Sequence, residues 1–255
     1  MVNNPFHSPL VFLASCTSTM DEAKKLLPAK SGTVVITDYQ TEGRGRLPKR
    51  KWISTASENL IFTIIVNGLE MSVLSTITLR VGLQLAFAIC SVVPQLKPIL
   101  RIKWPNDIMV GDKKICGILC ESSGSDVLIG IGVNVAQTDF GSLSSATSIV
   151  NQIANNNGVD NTNTDNTEIK FNILQKFLDN FFLEIQSDEP LQERLNNLLY
   201  KKDCAVCFMA GSAEAPVKVS GKLRGVNESG HIQIEDDECK IRSFAAGEML
   251  MTRSP

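Results

Sequence analysis

The chain reads as a larger domain of interleaved helices and strands followed by a small β-barrel. Three observations predict this. Up to residue 200, short β-branched and apolar runs alternate with segments of helical period. After Asp203 the pattern switches to short alternating runs at Val206–Met209, Val217–Leu223, His231–Ile234 and Lys240–Phe244, separated by Gly211, Gly221, Gly225, Gly230 and Gly247. Hydrophobic residues make up 43% of the 255 positions, enough for one large core with a small domain leaning on it. The division falls at residues 1–200 and 201–255.

Leu10–Ala14 is the first predicted strand. A helix then starts near Thr17, with Thr19 and Glu22 at capping-box spacing and Asp21 and Glu22 at its positive end. Pro28 ends it. Thr33–Thr37 and Asn59–Val66 are β-branched strands. The segment Asp38–Lys51 between them is polar, glycine-containing and basic, hence a loop. Between Glu70 and Val93, Leu74, Ile77, Val81, Leu85 and Ala88 recur three or four apart, so one largely buried helix is expected. Leu100–Trp104 leads into a Pro105 turn. Ile108–Val110 and Lys113–Cys120 form a hairpin around Gly111-Asp112, where glycine suits a type II′ turn. Val127–Val135 is a further strand. Asn155–Thr167, rich in Asn, Thr and Asp, predicts a polar loop without chemistry. Helices follow at Glu168–Ile185 and near Leu191–Tyr200.

Formal net charge is -2, so any basic function must be local. Seven Cys without a regular framework read as reduced thiols, with Cys16, Cys90, Cys116 and Cys120 in the core of a cytoplasmic protein. Two His argue against a zinc site. Leu13-Ala14-Ser15-Cys16 imitates a lipoprotein cleavage site, but no Lys or Arg precedes it and the apolar run is too short. No run reaches the roughly 20 apolar residues of a membrane span.

The chemistry concentrates in three stretches. Arg44, Arg46, Lys49, Arg50 and Lys51 are five cations in eight positions. Such a loop repels itself and is expected to stand open until an anion orders it. Gly43 and Gly45 would let backbone N–H groups approach that anion. On these residues alone a solvated loop, a nucleotide site and a nucleic-acid contact stand level. In Lys103-Trp104-Pro105-Asn106-Asp107, the indole offers a flat face and Asn106 a bidentate amide. Asp107 offers a hard oxygen for Mg²⁺. A polar strand-end turn explains the same residues. Lys114 opens an otherwise apolar strand, where it could stabilise charge on a reacting carboxylate or simply sit on the surface. Gly117 suggests close approach by a ligand or a strand. Gly130-Ile131-Gly132-Val133-Asn134 lacks the spacing of a dinucleotide fingerprint, and no Walker motif occurs.

Taken in order, Ser18-Thr19, Gln40, Gly43-Arg44-Gly45-Arg46, Lys51-Trp52, Lys103-Trp104-Pro105-Asn106-Asp107, Lys114, Gly117-Ile118-Leu119, Glu121 and Gly132-Val133-Asn134 resemble the biotin–protein ligase (holocarboxylase synthetase) family. The resemblance implies an α+β catalytic domain, a mixed sheet flanked by helices and related to class II aminoacyl-tRNA synthetases, and then an SH3-like barrel. It implies that biotin and MgATP give biotinyl-5′-AMP, whose acyl group passes to a lysine of biotin-acceptor domains of carboxylases.

By position, the resemblance implies a biotin set of Ser18, Thr19, Met20, Gln40, Gly43, Arg44, Gly45, Arg46, Lys114, Gly117 and Leu119. Met20 stands where many members carry Asn. The implied ATP and adenylate set is Arg50, Lys51, Trp52, Lys103, Asn106, Asp107, Asn134 and Arg224, with Asp107 as the Mg²⁺ ligand. Lys114, Arg46 and Arg44 would do the catalytic work. The family's winged-helix domain has no counterpart in the roughly ten residues before the first strand, so no DNA partner is expected. A membrane partner is not expected either, and a homodimer stays open. The alternatives are a lipoate or octanoate ligase on the same fold, and a nucleic-acid-binding protein using residues 44–51.

Overall fold

The computed structural model describes residues 2–47, 50–157, 166–211 and 215–250. Its larger part is a seven-stranded sheet. The strands and helices in chain order are β1 (Leu10–Leu13), α1 (Thr19–Lys25), β2 (Thr33–Thr37), β3 (Asn59–Asn67), α2 (Met71–Leu74), α3 (Ile77–Val92), β4 (Leu100–Lys103), β5 (Asp107–Val110), β6 (Lys113–Ser123), β7 (Asp126–Asn134), α4 (Ile149–Asn157), α5 (Asn166–Glu184) and α6 (Leu191–Asn196). The sheet order is β1-β2-β3-β7-β6-β5-β4, antiparallel except for the β1–β2 pair. Helices α3 and α5 pack together against one face, where Phe62, Phe177 and Phe181 are fully buried. On the other face α1 covers β2, β3 and β7 and leaves β6 beside it open.

The strands lie where β-branched runs put them, and Gly111 takes φ +57 in the β5–β6 turn, as the first position of a type II′ turn requires. Four expectations are corrected. The helix expected between Glu70 and Val93 is two helices, α2 and α3. The break falls at Ser75-Thr76, where the Thr76 hydroxyl bonds back to the carbonyls of Ser72 and Val73; a side chain competing for helical carbonyls favours such an interruption. The N-cap of α1 is Ser18, whose Oγ accepts from Met20 N; Thr19 is already helical. The helix expected to reach Tyr200 stops at Asn196. The Asn/Thr-rich segment is helical at both ends, as the close of α4 and the start of α5, and residues 158–165 lie outside the described residues. Among the cysteines expected in the core, Cys116 is buried, and Cys16, Cys90 and Cys120 are half-buried.

After α6 the chain forms β8 (Ala205–Ala210), β9 (Val217–Val226), β10 (Ile232–Glu235), β11 (Ile241–Phe244) and β12 (Gly247–Met249), an antiparallel sheet in the order β11-β10-β9-β8-β12. The sequence reading missed β12, which is too short to alternate. This sheet does not stand apart. Its Phe208 packs edge-on against Trp104, whose indole N–H donates to the Gly230 carbonyl at 2.9 Å. Asn196 at the end of α6 bonds both the N–H and the carbonyl of Val226. Trp104, 3% exposed, is therefore mainly a joint between the two sheets.

Candidate functional site

The open face of the large sheet has a floor made almost without side chains. Across β6 and β7, Gly117 pairs with Gly132 and Leu119 with Gly130. Residues two apart on a strand share a face, so three of these four floor positions carry no Cβ. A Cβ on Gly132 would lie 2.5 Å from the Trp52 indole, and one on Gly130 2.8 Å from the Met20 sulfur. Those glycines, unremarkable as a nucleotide fingerprint, let two large side chains lie flat on the sheet. Their spacing of two was the signal that sequence reasoning passed over.

Above this floor is a cleft open to solvent. It gathers Ser18, Thr19, Met20, Gln40, Arg44, Gly45, Arg46, Arg50, Lys51, Trp52, Lys103, Asn106, Asp107, Lys114, Gly117 and Leu119. Gly130, Ile131, Gly132 and Glu248 also line it and were not anticipated as site residues.

Three anticipated residues do not form its wall. Gly43 is used for close packing: a Cβ there would lie 2.6 Å from the Trp52 carbonyl oxygen. Asn134 is buried beyond the rim and donates to the Thr147 carbonyl, while its Oδ1 has no partner. Arg224 is held by Asp203 and Glu235, each at 2.7 Å, on the small sheet.

One end of the cleft is neutral and cross-linked by hydrogen bonds. Thr19 donates twice to Gln40 Oε1, from its backbone N at 2.7 Å and its hydroxyl at 3.0 Å; the Thr63 hydroxyl donates to Thr19 Oγ1 at 2.8 Å. Both contacts use the Gln40 carbonyl oxygen as acceptor. Arg44 closes this end, bound to Asp21 at 2.9 Å and Glu121 at 3.1 Å.

The other end is charged. Lys114 Nζ is 2.6 Å from Asp107 Oδ1 and 5.9 Å from the centre of the Trp52 ring. Lys103 faces Asp107 across the β4–β5 register and is only 7% exposed. Burial lowers its proton affinity below the ordinary lysine value, with the Asp107 carboxylate opposing that shift. The turn is locked to β6, because Asn106 donates to the Ile118 carbonyl and the Ile118 N–H donates to the Asn106 carbonyl, each at 2.9 Å. The Trp104–Pro105 peptide is cis.

The basic loop is not open, which corrects the self-repulsion argument. Gly45 N–H donates to the Arg50 carbonyl and Trp52 N–H to the Gly43 carbonyl, so its described ends are zipped together. Arg50 makes a two-pronged pair with Glu248 at 2.6 and 3.1 Å, and Arg46 donates to the Gly247 carbonyl at 2.8 Å. Carboxylates at 21, 121 and 248 offset the charges that would have driven the loop apart. These partners are distant in sequence, so a local count of cations could not see them. The Trp52 indole N–H is buried without an acceptor, an arrangement that typically costs about 1–3 kcal/mol.

A mixed sheet with helices on one face and a glycine-floored cleft on the other defines a ligand-binding α+β domain. Residues 12–137 match the Biotin/lipoate A/B protein ligase family. It is 37% identical over 137 residues to the biotin–[acetyl-CoA-carboxylase] ligase of Paracoccus denitrificans, covering 49% of this chain and 53% of that protein. The chain thus spans about half the length of that relative. It is 28% identical over 234 residues to the bifunctional ligase/repressor BirA of Escherichia coli, covering 87% and 67% respectively. The biotin protein ligase of Aquifex aeolicus in complex with biotin and ATP superimposes with a TM-score of 0.73 at 27% identity, covering 96% of this chain and 99% of that one. The Leishmania major biotin protein ligase in complex with biotinyl-5-AMP gives 0.64 at 25% identity, covering 93% and 98%.

Proposed function

We propose that this protein is an ATP-dependent biotin–protein ligase that makes biotinyl-5′-AMP and passes the biotinyl group to a lysine of carboxylase acceptor domains. What carries the reading is one cleft with two unlike ends. The Thr19–Gln40–Arg44 end offers donors and acceptors to a neutral ureido ring. The Lys103–Asp107–Lys114 end offers cations where a carboxylate must meet a phosphate. In this reading residues 1–200 form the catalytic domain, related to class II aminoacyl-tRNA synthetases. Residues 201–255 form an SH3-like barrel, and the protein works in the cytoplasm. No helix among the described residues is long and apolar enough to cross a membrane.

In the first step a biotin carboxylate oxygen attacks the α-phosphorus and pyrophosphate leaves. Two anions must approach each other, and Lys114 lowers that repulsion while the glycine floor holds the acyl chain in line. Arg44 and Arg46 exchange their present partners for the ligand and keep water from the mixed anhydride. The unpartnered Trp52 N–H is a donor that a nucleotide would satisfy. In the second step the acceptor amine attacks the acyl carbon, AMP leaves, and the amine's proton is lost.

The donor set does not fit a dedicated Mg²⁺ site. Asp107 is a single carboxylate already held by Lys114, and no group of three metal-ligating side chains occurs among the described residues. Magnesium would therefore arrive on the nucleotide phosphates.

The test is adenylation by purified protein given biotin, lipoate and MgATP together. Biotinyl-AMP with pyrophosphate is the expected product; lipoyl-AMP alone, or no adenylate, overturns the reading. In Arg46→Gly the adenylate should dissociate faster, as measured by chase with unlabelled biotin.

A further inference from the structure

Lys170 is a buried charge that the chemistry of the cleft does not use. It lies in the second turn of α5, on the helix-covered face of the sheet, and is 5% exposed. An ammonium loses strong hydration on burial, so the contacts it keeps show what it holds. Asp38 Oδ1 is 3.8 Å away, on a side chain that is 60% exposed. The closer contact is to main chain: Lys170 Nζ donates to the Ser57 carbonyl at 2.8 Å.

Asp38 and Ser57 stand at the two ends of the loop that joins β2 to β3 and carries Arg44, Arg46, Arg50 and Trp52. The ends also meet directly, because Ser57 N–H donates to the Asp38 carbonyl at 3.0 Å. Glu58 N–H donates to the Thr55 carbonyl, so residues 55–58 form a β-turn whose third residue, Ser57, has φ +63. A positive φ at that position belongs to type II turns, which favour glycine or asparagine there. The serine is held in this conformation at both its polar backbone groups, the N–H by Asp38 and the carbonyl by Lys170. Trp52 stands just ahead of the turn and lies on Gly132.

We propose that Lys170 is a positioning residue for adenylate retention: from the face opposite the cleft it fixes the turn that ends the basic loop, and with it the place of Trp52 and the arginines. The proposal rests on the biotin-ligase reading, because the adenylate is the ligand that the loop holds. The contacts of Arg46 and Arg50 with Gly247 and Glu248 are ones a ligand exchanges. Once they are exchanged, the stem of the loop orients it. A turn free to leave φ +63 lets Trp52 lift from Gly132 and the arginines drift from the ligand, which then escapes faster.

The experiment measures the dissociation rate of biotinyl-5′-AMP made from labelled biotin, by chase with unlabelled biotin and MgATP. A rate constant does not depend on how much of a variant is folded. Lys170→Met keeps most of the buried stem and removes the ammonium. The adenylate should dissociate about tenfold faster, the weight of one hydrogen bond to a charged group, while its formation at saturating substrates stays within about threefold. Adding Ser57→Gly supplies a residue that takes φ +63 without strain. Dissociation should then return to within about threefold of the unaltered protein, whereas a packing role for Lys170 would leave the double variant as fast as the single. Should Lys170→Met yield no folded protein, Ser57→Val disfavours the same φ at an exposed position and leaves α5 untouched; it should speed dissociation in the same way. An unchanged dissociation rate in folded Lys170→Met or in Ser57→Val, or no recovery in the double variant, overturns the proposal. Failure of the unaltered protein to form biotinyl-5′-AMP would instead overturn the biotin-ligase reading.

Discussion

The two ends of the cleft are built on opposite principles. At the Thr19–Gln40 end the contacts among Thr19, Gln40 and Thr63 are short, neutral and buried, the partly exposed Arg44 ion pairs close it, and the apolar wall is anchored in a core cluster. At the Lys114–Asp107 end, charges of both signs are crowded together, partly exposed, and pair with residues drawn from both sheets. The first end is preorganised and discriminates by shape. The second stores charge in pairs that a ligand can exchange. In a buried neutral network, removing one partner strands another, so changes there should read out in affinity. In an exchangeable charged cluster, changes should read out in rate, with little effect on folding.

The sharpest way to break this contrast is Lys114→Ala. Adenylate formation in a single turnover should fall about 10²–10³-fold, the usual effect of removing one group that stabilises developing charge. The urea midpoint should stay close to that of the unaltered protein. A normal burst would remove Lys114 from the chemistry.

Next in size is the floor between the two ends. Gly132→Ala places a methyl 2.5 Å from the indole of Trp52 and should cost about 1–3 kcal/mol in urea unfolding, with a shifted tryptophan emission. Gly117→Ala should cost less, because its nearest neighbour is the flexible Lys114 Nζ at 3.0 Å. Equal costs at the two positions would deny that the indole is packed on the floor.

Thr19→Ala tests the neutral end. It removes one of the two donors to Gln40 Oε1 and the acceptor of the Thr63 hydroxyl. Biotin affinity by calorimetry should weaken about tenfold, from roughly 1–2 kcal/mol of lost hydrogen bonding. The rate from saturating biotin should hold; a rate loss with unchanged affinity would reverse the assignment of the two ends.

Lys103 sharpens the comparison through pH. Its folded proton affinity is depressed by burial, so the unfolded chain binds the extra proton more readily. Stability must therefore rise as pH climbs from the lowered folded value towards the unfolded 10.5. Lys103→Met escapes the penalty of burying an ammonium. Its gain in thermal midpoint over the unaltered protein should be largest near neutral pH and shrink above about pH 10. A gain independent of pH would attribute the effect to packing.

The smallest effect is expected at Glu248→Gln. The pair with Arg50 is bidentate, but the arginine side chain is 59% exposed, and exposed pairs contribute about 0–1 kcal/mol. A thermal shift well beyond that range would make the pair a structural tie between the loop and β12.

Much of the fold was legible because its signals are local. The runs at Thr33–Thr37 and Asn59–Asn67 are β-branched, and Gly111 needs φ above zero whatever surrounds it. The cleft residues were legible because unusual side chains cluster at Arg44–Trp52 and Lys103–Asp107. The state of the basic loop was not legible. Five neighbouring cations predict repulsion, and only the folded chain brings Asp21, Glu121 and Glu248 to them from up to about two hundred residues away. Trp104 stands in a motif with apparent chemistry, yet its contacts join the two sheets.

By its own pattern the amino-acid chain determined where most strands and helices form and which residue types are concentrated at the cleft. Folding alone decided that Gly117, Gly130 and Gly132 share one face, that Met20 and Trp52 lie on them, and that the loop is held shut by carboxylates. The physical reason is range. Backbone preference and period act over a few residues, whereas close packing and charge compensation depend on which distant segments the sheet brings within a few ångströms.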